Sequence, residues 1–166
     1  MKYLKEYKLF ESFSKEEIEK EIVSLSIDYI DYNGEKQTGI IEVNRDITDN
    51  ILGVFNDLYM MKFPINKIDK SYQRPDENII IDNITTGYNF RFIMGTDKLS
   101  KHAKGYAIDL NPKVNPAKPS KISHVYDESI EKGKITPEIV TLFKKWGFKW
   151  GGEIFGNFWD SHHFEI

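Results

Sequence analysis

Ser100, His102, Gly105, Ala107 and Asp109 stand in the order Ser-x-His-x-x-Gly-x-Ala-x-Asp, and Trp159-Asp160-Ser161-His162-His163-Phe164-Glu165 lies much further along the chain. Imidazole nitrogens and a carboxylate oxygen are the donors a catalytic zinc uses when it takes three protein ligands and leaves a fourth position for water. His102, Asp109 and His163 supply such a set. Asp160 would then be the carboxylate that manages the proton of the water.

The spacing sets conditions on the backbone. His102 and Asp109 are seven residues apart, and in an unbroken strand an odd separation turns two side chains to opposite faces. The chain must therefore bend between them, and Gly105 is the natural place because glycine reaches backbone angles closed to other residues. A strand from Gly105 to Leu110 can then project Asp109 to the metal, with small Ala107 on the same face leaving room. Ser100 could hydrogen-bond the nearby backbone or a ligand and hold the surroundings of the site. Asp160 and His163 are three apart, so in a fully extended segment His162 would share the face of Asp160 and become a rival ligand. A turn at Asp160 would instead let Asp160 and His163 reach one point. Glu165 could accept a hydrogen bond from a ligating imidazole or be a solvated acid.

Arg91, after Asn89-Phe90, could steady a developing oxyanion or grip a substrate carboxylate, although a strand arginine is more often a surface charge. His124 has no partner pattern and reads as structural or exposed. Trp146, Trp150 and Trp159 read as core, with Trp159 able to line a cleft because it adjoins Asp160. Taken singly, His102 and Asp109 also fit an exposed loop histidine and a strand-end acid. The joint pattern with a terminal Asp-x-x-His is what argues for a metal.

Several elements would position these residues. Residues 1–20, with Leu4, Leu9, Phe10, Phe13 and Ile18 among charges, suit a peripheral helix or ordered lead-in. Residues 22–30 and 39–43 read as strands around an Asn33-Gly34 turn, a hairpin. Thr48 or Asp49 could cap a helix through Ile51, Leu52, Val54, Phe55, Leu58, Tyr59 and Met61, ended by Phe63-Pro64-Ile65. Residues 67–83 read as a long surface loop and 89–94 as a strand. A second loop follows Asn111-Pro112 as far as Pro119. Thr136-Pro137-Glu138 opens a helix through Ile139, Val140, Leu142, Phe143 and Trp146, closed by Gly147. The aromatic tail, Trp150, Phe155, Phe158 and Trp159, is expected to pack the C-terminal strand at Phe164 into the core.

The chain has 166 residues, 40% of them hydrophobic, which suits one domain with one core. The reading is a single domain over 1–166, with residues 1–44 as an N-terminal hairpin extension. A net charge of −3 without a long basic run gives no footprint for nucleic acid or an anionic membrane. The absence of cysteine leaves any metal to His, Asp or Glu. The charged start, Met1 to Lys20, lacks the apolar stretch of a secretory signal, and no segment approaches membrane-spanning length, so a soluble protein is expected.

Ser100-Lys101-His102-Ala103-Lys104-Gly105-Tyr106-Ala107-Ile108-Asp109 and Asp160-Ser161-His162-His163-Phe164-Glu165 resemble the signature of the zinc peptidases related to VanY-type D-alanyl-D-alanine carboxypeptidases, and among them the phage L-alanyl-D-glutamate endolysins. Phe63-Pro64-Ile65, Asp82-Asn83, Asn89-Phe90-Arg91 and Asn111-Pro112 resemble segments flanking the first metal motif in that group. The resemblance spans roughly residues 45 to 166. It implies an α+β fold of the hedgehog/D-Ala-D-Ala-peptidase type, a small antiparallel sheet with flanking helices, in a monomer of bacterial or phage origin acting on the cell wall. It further implies Zn2+ on His102, Asp109 and His163, the catalytic carboxylate on Asp160 and a transition-state arginine on Arg91. The substrate class would be a peptidoglycan stem peptide, and the reaction amide hydrolysis. The alternative is a non-catalytic zinc-containing module that binds a peptide or protein on the same fold.

Overall fold

The computed structural model describes residues 14–166; of the expected lead-in, Leu4, Leu9, Phe10 and Phe13 lie outside the described residues. Helix α1 (Lys15–Glu19) begins on a reciprocal cap. The Glu17 amide donates to Ser14 Oγ at 3.2 Å and the Ser14 amide donates to the Glu17 carboxylate at 2.8 Å.

Strands β1 (Ile22–Ile30) and β2 (Lys36–Asn44) form the expected hairpin, antiparallel, with Ile22 opposite Asn44 and Ile30 opposite Lys36. Alternation along them turns Ile27, Tyr29, Ile41 and Val43 inward. Helix α2 (Thr48–Met60) lays Ile51, Val54, Phe55 and Leu58 against that face. The expected cap at Thr48 or Asp49 is displaced: Thr48 is already helical, because the chain enters through a 3-10 turn at Arg45–Ile47 capped by Asn44. The Asn44 side-chain oxygen accepts from the Asp46 amide at 3.0 Å.

Residues 67–83 are not one loop. They hold strand β3 (Lys67–Ile68) and helix α3 (Asp76–Ile81), which starts after Pro75 with Asp76 and Glu77 in its first turn and buries Ile79 and Ile80. The strand expected at 89–94 is also absent. Only an isolated bridge between Phe92 and Leu99 forms there, and Phe92, Ile93 and Met94 are exposed, so no layer exists for such a strand to cover. Strand β4 (Ile84–Thr85) lies earlier and pairs parallel with β3.

The site is carried by a three-stranded antiparallel sheet in the order β5 (Ala107–Asp109), β9 (His163–Glu165), β7 (Lys149–Trp150). Beside it, β6 (Ala117–Lys118) pairs antiparallel with β8 (Trp159–Asp160). Helix α4 (Pro137–Lys145) has the expected Thr136 cap and proline start, and Gly147 follows it at a positive φ of 87°. A single turn of helix, α5 (Gly151–Ile154), leads out of β7.

The architecture is α+β, with four small sheets among the described residues, one of them parallel, where one antiparallel sheet was expected. One apolar cluster joins the hairpin (Ile41, Val43), α2 (Val54, Phe55), β5 (Ile108), α4 (Phe143) and β9 (Phe164). The Phe143 and Phe164 rings stack with centroids 3.7 Å apart, anchoring β9 from below. The aromatic tail departs from expectation. Phe164 is buried, but Phe155, Phe158 and Trp159 are exposed, while Trp146 and Trp150 are half-buried.

Candidate metal centre

His102 opens a 3-10 turn, His102–Lys104, and Ser100 steadies that turn because its hydroxyl accepts from the Ala103 amide at 3.1 Å. Gly105 ends the turn at φ 75°, which supplies the bend the spacing required. The hairpin clasps this bend from outside. The Asn44 amide donates to the Gly105 carbonyl at 2.9 Å, and the Asn44 side chain donates to the Lys104 carbonyl at 3.2 Å. A methyl group on residue 105 would lie 2.5 Å from the Asn44 nitrogen, so both the turn and the clasp need glycine.

From Gly105 the chain runs into β5, whose register sets Asp109 opposite His163 on β9. Directly opposed residues of an antiparallel pair share a face with their Cβ atoms about 4.5–5.5 Å apart, and this is how residues remote in sequence meet. On its other edge Asp109 exchanges backbone hydrogen bonds with Thr86, at 3.0 and 3.2 Å. The next residue, Gly87, thereby offers its carbonyl to His102.

The two imidazoles are locked by their outer nitrogens. His102 Nδ1 lies 2.8 Å from the Gly87 carbonyl oxygen, which can only accept, so Nδ1 carries the hydrogen and Nε2 faces inward. His163 Nε2 lies 3.0 Å from the Glu165 carboxylate and donates to it, so Nδ1 faces inward. The inward atoms converge: His102 Nε2 to Asp109 Oδ1 is 3.1 Å, His102 Nε2 to His163 Nδ1 is 3.1 Å, and His163 Nδ1 to Asp109 Oδ1 is 3.2 Å. Two imidazole lone pairs and a carboxylate oxygen turned on one another repel unless a positive charge lies among them. A tetrahedral ion with bonds of about 2.0–2.1 Å separates its ligands by about 3.3 Å, so the donor triangle has the size of one face of such a site. His102, Asp109 and His163 could therefore hold a metal ion.

Their proton affinities carry the same signature. Burial opposes ionisation of Asp109, but the neighbouring imidazoles of His102, His162 and His163 overcome it and hold the carboxyl well below its usual range. Burial also opposes charge on His163, yet its hydrogen bonds to Asp109 and Glu165 prevail and push it up to about 9. The Glu165 carboxyl is lowered, chiefly by its hydrogen bond with His163. A cation-seeking pocket holds a proton when it holds nothing else.

Asp160 ends β8, and a turn at Ser161–His162 separates it from β9. Trp150 Nε1 donates to the Ser161 carbonyl at 2.8 Å and fixes that turn. Gly151 lies beneath. A Cβ there would sit 2.5 Å from the Asp160 carbonyl oxygen and 3.0 Å from the Cβ atoms of both Asp160 and His163, so these two side chains converge over the bare backbone of α5. His162 is buried and outside the converging trio; its Nε2 is 3.0 Å from Asp160 Oδ1 and 4.0 Å from Asp109 Oδ2.

The remaining expected residues are more dispersed. Trp159, 52% exposed, sets its ring edge-on to Trp150 beside Asp160. Arg91 Nε lies 3.0 Å from Asp76, and no ion pair joins Arg91 to the trio among the described residues. Arg91 lines a cleft of about 420 Å³ together with Arg74, Asp76, Phe90 and Met94. His124 is exposed against Glu77, at 3.2 Å. Phe155, with its ring centroid 5.5 Å from that of His163, was given no place at the site by sequence reasoning, nor were the Gly87 carbonyl and Gly151. The Gly151-Gly152 pair is the one visible signal for the last of these.

Residues 94–166 match the family model described as D-alanyl-D-alanine carboxypeptidase. That match supports the peptidase family that the motifs resemble. It spans His102, Asp109, Asp160 and His163 and begins after Arg91 and the hairpin. A hydrolase of the peptidase class is supported with it. No curated protein and no solved structure matches the chain. Among the described residues, no helix is long and apolar enough to cross a membrane.

Proposed function

We propose that this peptidase is zinc-dependent, hydrolyses an amide bond in peptidoglycan stem peptides and acts on the cell wall. The observation that carries the reading is the pair of locked imidazoles, whose inner lone pairs meet the Asp109 oxygen at 3.1–3.2 Å. His102, Asp109 and His163 would hold the ion. Bound there, zinc supplies Lewis acidity that polarises a carbonyl and makes water a better nucleophile.

The rest falls to the chain. Asp160, beside the trio but not part of it, takes the proton from the attacking water and returns it to the leaving amine. Glu165 and the Gly87 carbonyl keep the imidazoles oriented, and Ser100 keeps the turn that carries His102. Arg91 takes the oxyanion or a substrate carboxylate, relinquishing part of its pairing with Asp76. Trp159 forms one wall of the cleft. This reading includes the hedgehog/D-Ala-D-Ala-peptidase type of fold, and a carboxypeptidase or endopeptidase specificity that the products decide.

Incubating the purified protein with peptidoglycan fragments, with and without a chelator, and weighing the products by mass spectrometry tests it. Chelator-sensitive release of D-alanine marks a carboxypeptidase, and a cut between L-alanine and D-glutamate marks the endolysin type. Asp160→Ala should keep the metal and lose hydrolysis. An Asp160→Ala protein that cuts at full rate removes the proposed base, and a wild-type protein that binds fragments without cutting them leaves the non-catalytic module in its place.

A further inference from the structure

We infer that the cleft lined by Arg91 is a subsite for a free carboxylate of the stem peptide, held apart from the amide that is cut. The inference rests on the peptidase reading and assigns Arg91 to a substrate carboxylate instead of the oxyanion. The cleft has a volume of about 420 Å³ and shares no lining residue with the donor triangle. Pro75, Phe90, Met94 and Ile122 give it apolar walls, and the Arg91 side chain stands among them, 34% exposed.

One edge of the guanidinium is pinned and the other is open. Arg91 Nε is buried 3.0 Å from Asp76 Oδ2, an ion pair that is not aligned as a hydrogen bond. The other oxygen of Asp76 accepts from the Asn89 side chain at 3.3 Å, and Asn89 also donates to the Arg74 carbonyl at 3.2 Å, so the anion facing Nε is itself tied down. The Phe90 amide donates to Gln73 Oε1 at 2.8 Å and fixes the wall beside it. Neither terminal nitrogen of Arg91 hydrogen-bonds to a protein group among the described residues. The other charges of the cleft are engaged: Arg74 with Asp82 at 2.9 Å and the Ser71 carbonyl at 3.3 Å, and Glu77 with His124 at 3.2 Å. The donors left without an acceptor are the terminal fork of Arg91, and a planar carboxylate fits such a fork with two parallel bonds. The walls suit the methylene groups that carry it. Backbone hydrogen bonds join the cleft to the metal centre. The Ser100 amide donates to the Arg91 carbonyl at 3.1 Å and the Asn89 amide donates to the His102 carbonyl at 3.2 Å, which laces the cleft wall to the turn that carries the first candidate ligand. A peptide whose scissile amide lies at the donor triangle has this cleft beside it for another of its residues.

The test uses one stem-peptide fragment in three forms: all carboxylates free, the D-glutamate carboxylate amidated, and the C-terminal carboxylate amidated. Binding is read by calorimetry on zinc-loaded Asp160→Ala protein, so that the fragments stay intact, and kcat/KM on the wild type. At least one amidation should weaken both about 10- to 30-fold, the loss of a charged hydrogen-bonded pair at a partly exposed site, and the form affected identifies the carboxylate. With Arg91→Gln added, the three forms should bind alike. Arg91→Lys, which keeps the charge without the fork, should retain an intermediate preference. Equal binding of all three forms to protein with Arg91 intact, or a preference that survives Arg91→Gln, would overturn the inference. So would an Arg91→Gln enzyme that loses turnover at saturating fragment and still discriminates among the forms, the signature of an oxyanion donor. If Arg91→Gln does not fold, Arg91→Lys takes its place, and full discrimination by it counts against the fork. If the wild-type protein cuts no fragment, the peptidase reading fails, and the calorimetric ranking of the three forms on the wild type still decides the cleft.

Discussion

The outer nitrogen of each imidazole determines what its inner nitrogen can do, and the two rings use different partners for it. His102 is held by a backbone carbonyl, which no substitution at residue 87 can delete, whereas His163 depends on the side chain of Glu165. Glu165→Ala should therefore weaken zinc binding about 10- to 100-fold in competition with a chromophoric chelator, and unchanged affinity would remove that role. The protonation of His163 gives a second prediction. With its pKa raised to about 9, the imidazole of the metal-free protein carries a proton at neutral pH that an incoming ion must displace. Metal affinity should climb about tenfold per pH unit until near pH 9, with about one proton released per ion at pH 7 in calorimetry across buffers. For the metal-free fold the sign is the reverse. A histidine raised above its unfolded value of 6.5 stabilises fully below that value and loses the contribution as pH rises through 9, so the melting temperature should fall over that interval and fall less with metal bound. The types and order of the three donors that converge could be read from the sequence because donor chemistry is local. The Gly87 carbonyl could not, since every residue has one and only the fold chooses which meets a ring.

Short turns aim the side chains that the strands carry. The bend at Gly105 was legible because an odd spacing between two candidate ligands demands one, and helix α4 was legible because cap, proline and terminal glycine all mark it. Helix α3 was not. Its run of Ile79-Ile80-Ile81 in a polar stretch shows no periodicity over one and a half turns, and only burial of the first two isoleucines against the protein makes it helical. The strand anticipated at Asn89 to Met94 failed for the opposite reason, having suitable residues and nothing to cover them. Gly151 is the element-level point of weakness: its missing side chain is what lets Asp160 and His163 approach. Gly151→Ala should push β8 and β9 apart, costing about 1–3 kcal/mol by denaturant unfolding. Turnover should fall by more than the lost stability explains, and wild-type turnover at wild-type stability would refute the close approach.

Over the whole molecule, the hairpin, α2, α4 and the site-bearing sheet share one apolar interior, so the strands that carry the candidate site have no core of their own. Residues 94–166, although they span the matched family segment, should not fold when expressed alone, which circular dichroism and proton NMR dispersion would reveal. Phe164→Ala should cost about 3–5 kcal/mol, because it removes a fully buried ring stacked on Phe143 directly under His163. That the hairpin forms was readable from its Asn33-Gly34 turn and β-branched strands. That it reaches across to Gly105 was not, because the contact joins Asn44 to a backbone segment sixty residues away that carries no complementary pattern. The same clasp limits protein engineers. Grafting this chemistry onto another scaffold would require importing the Asn44 edge along with the His-Asp-His donors, or the transplanted bend would have nothing to brace it.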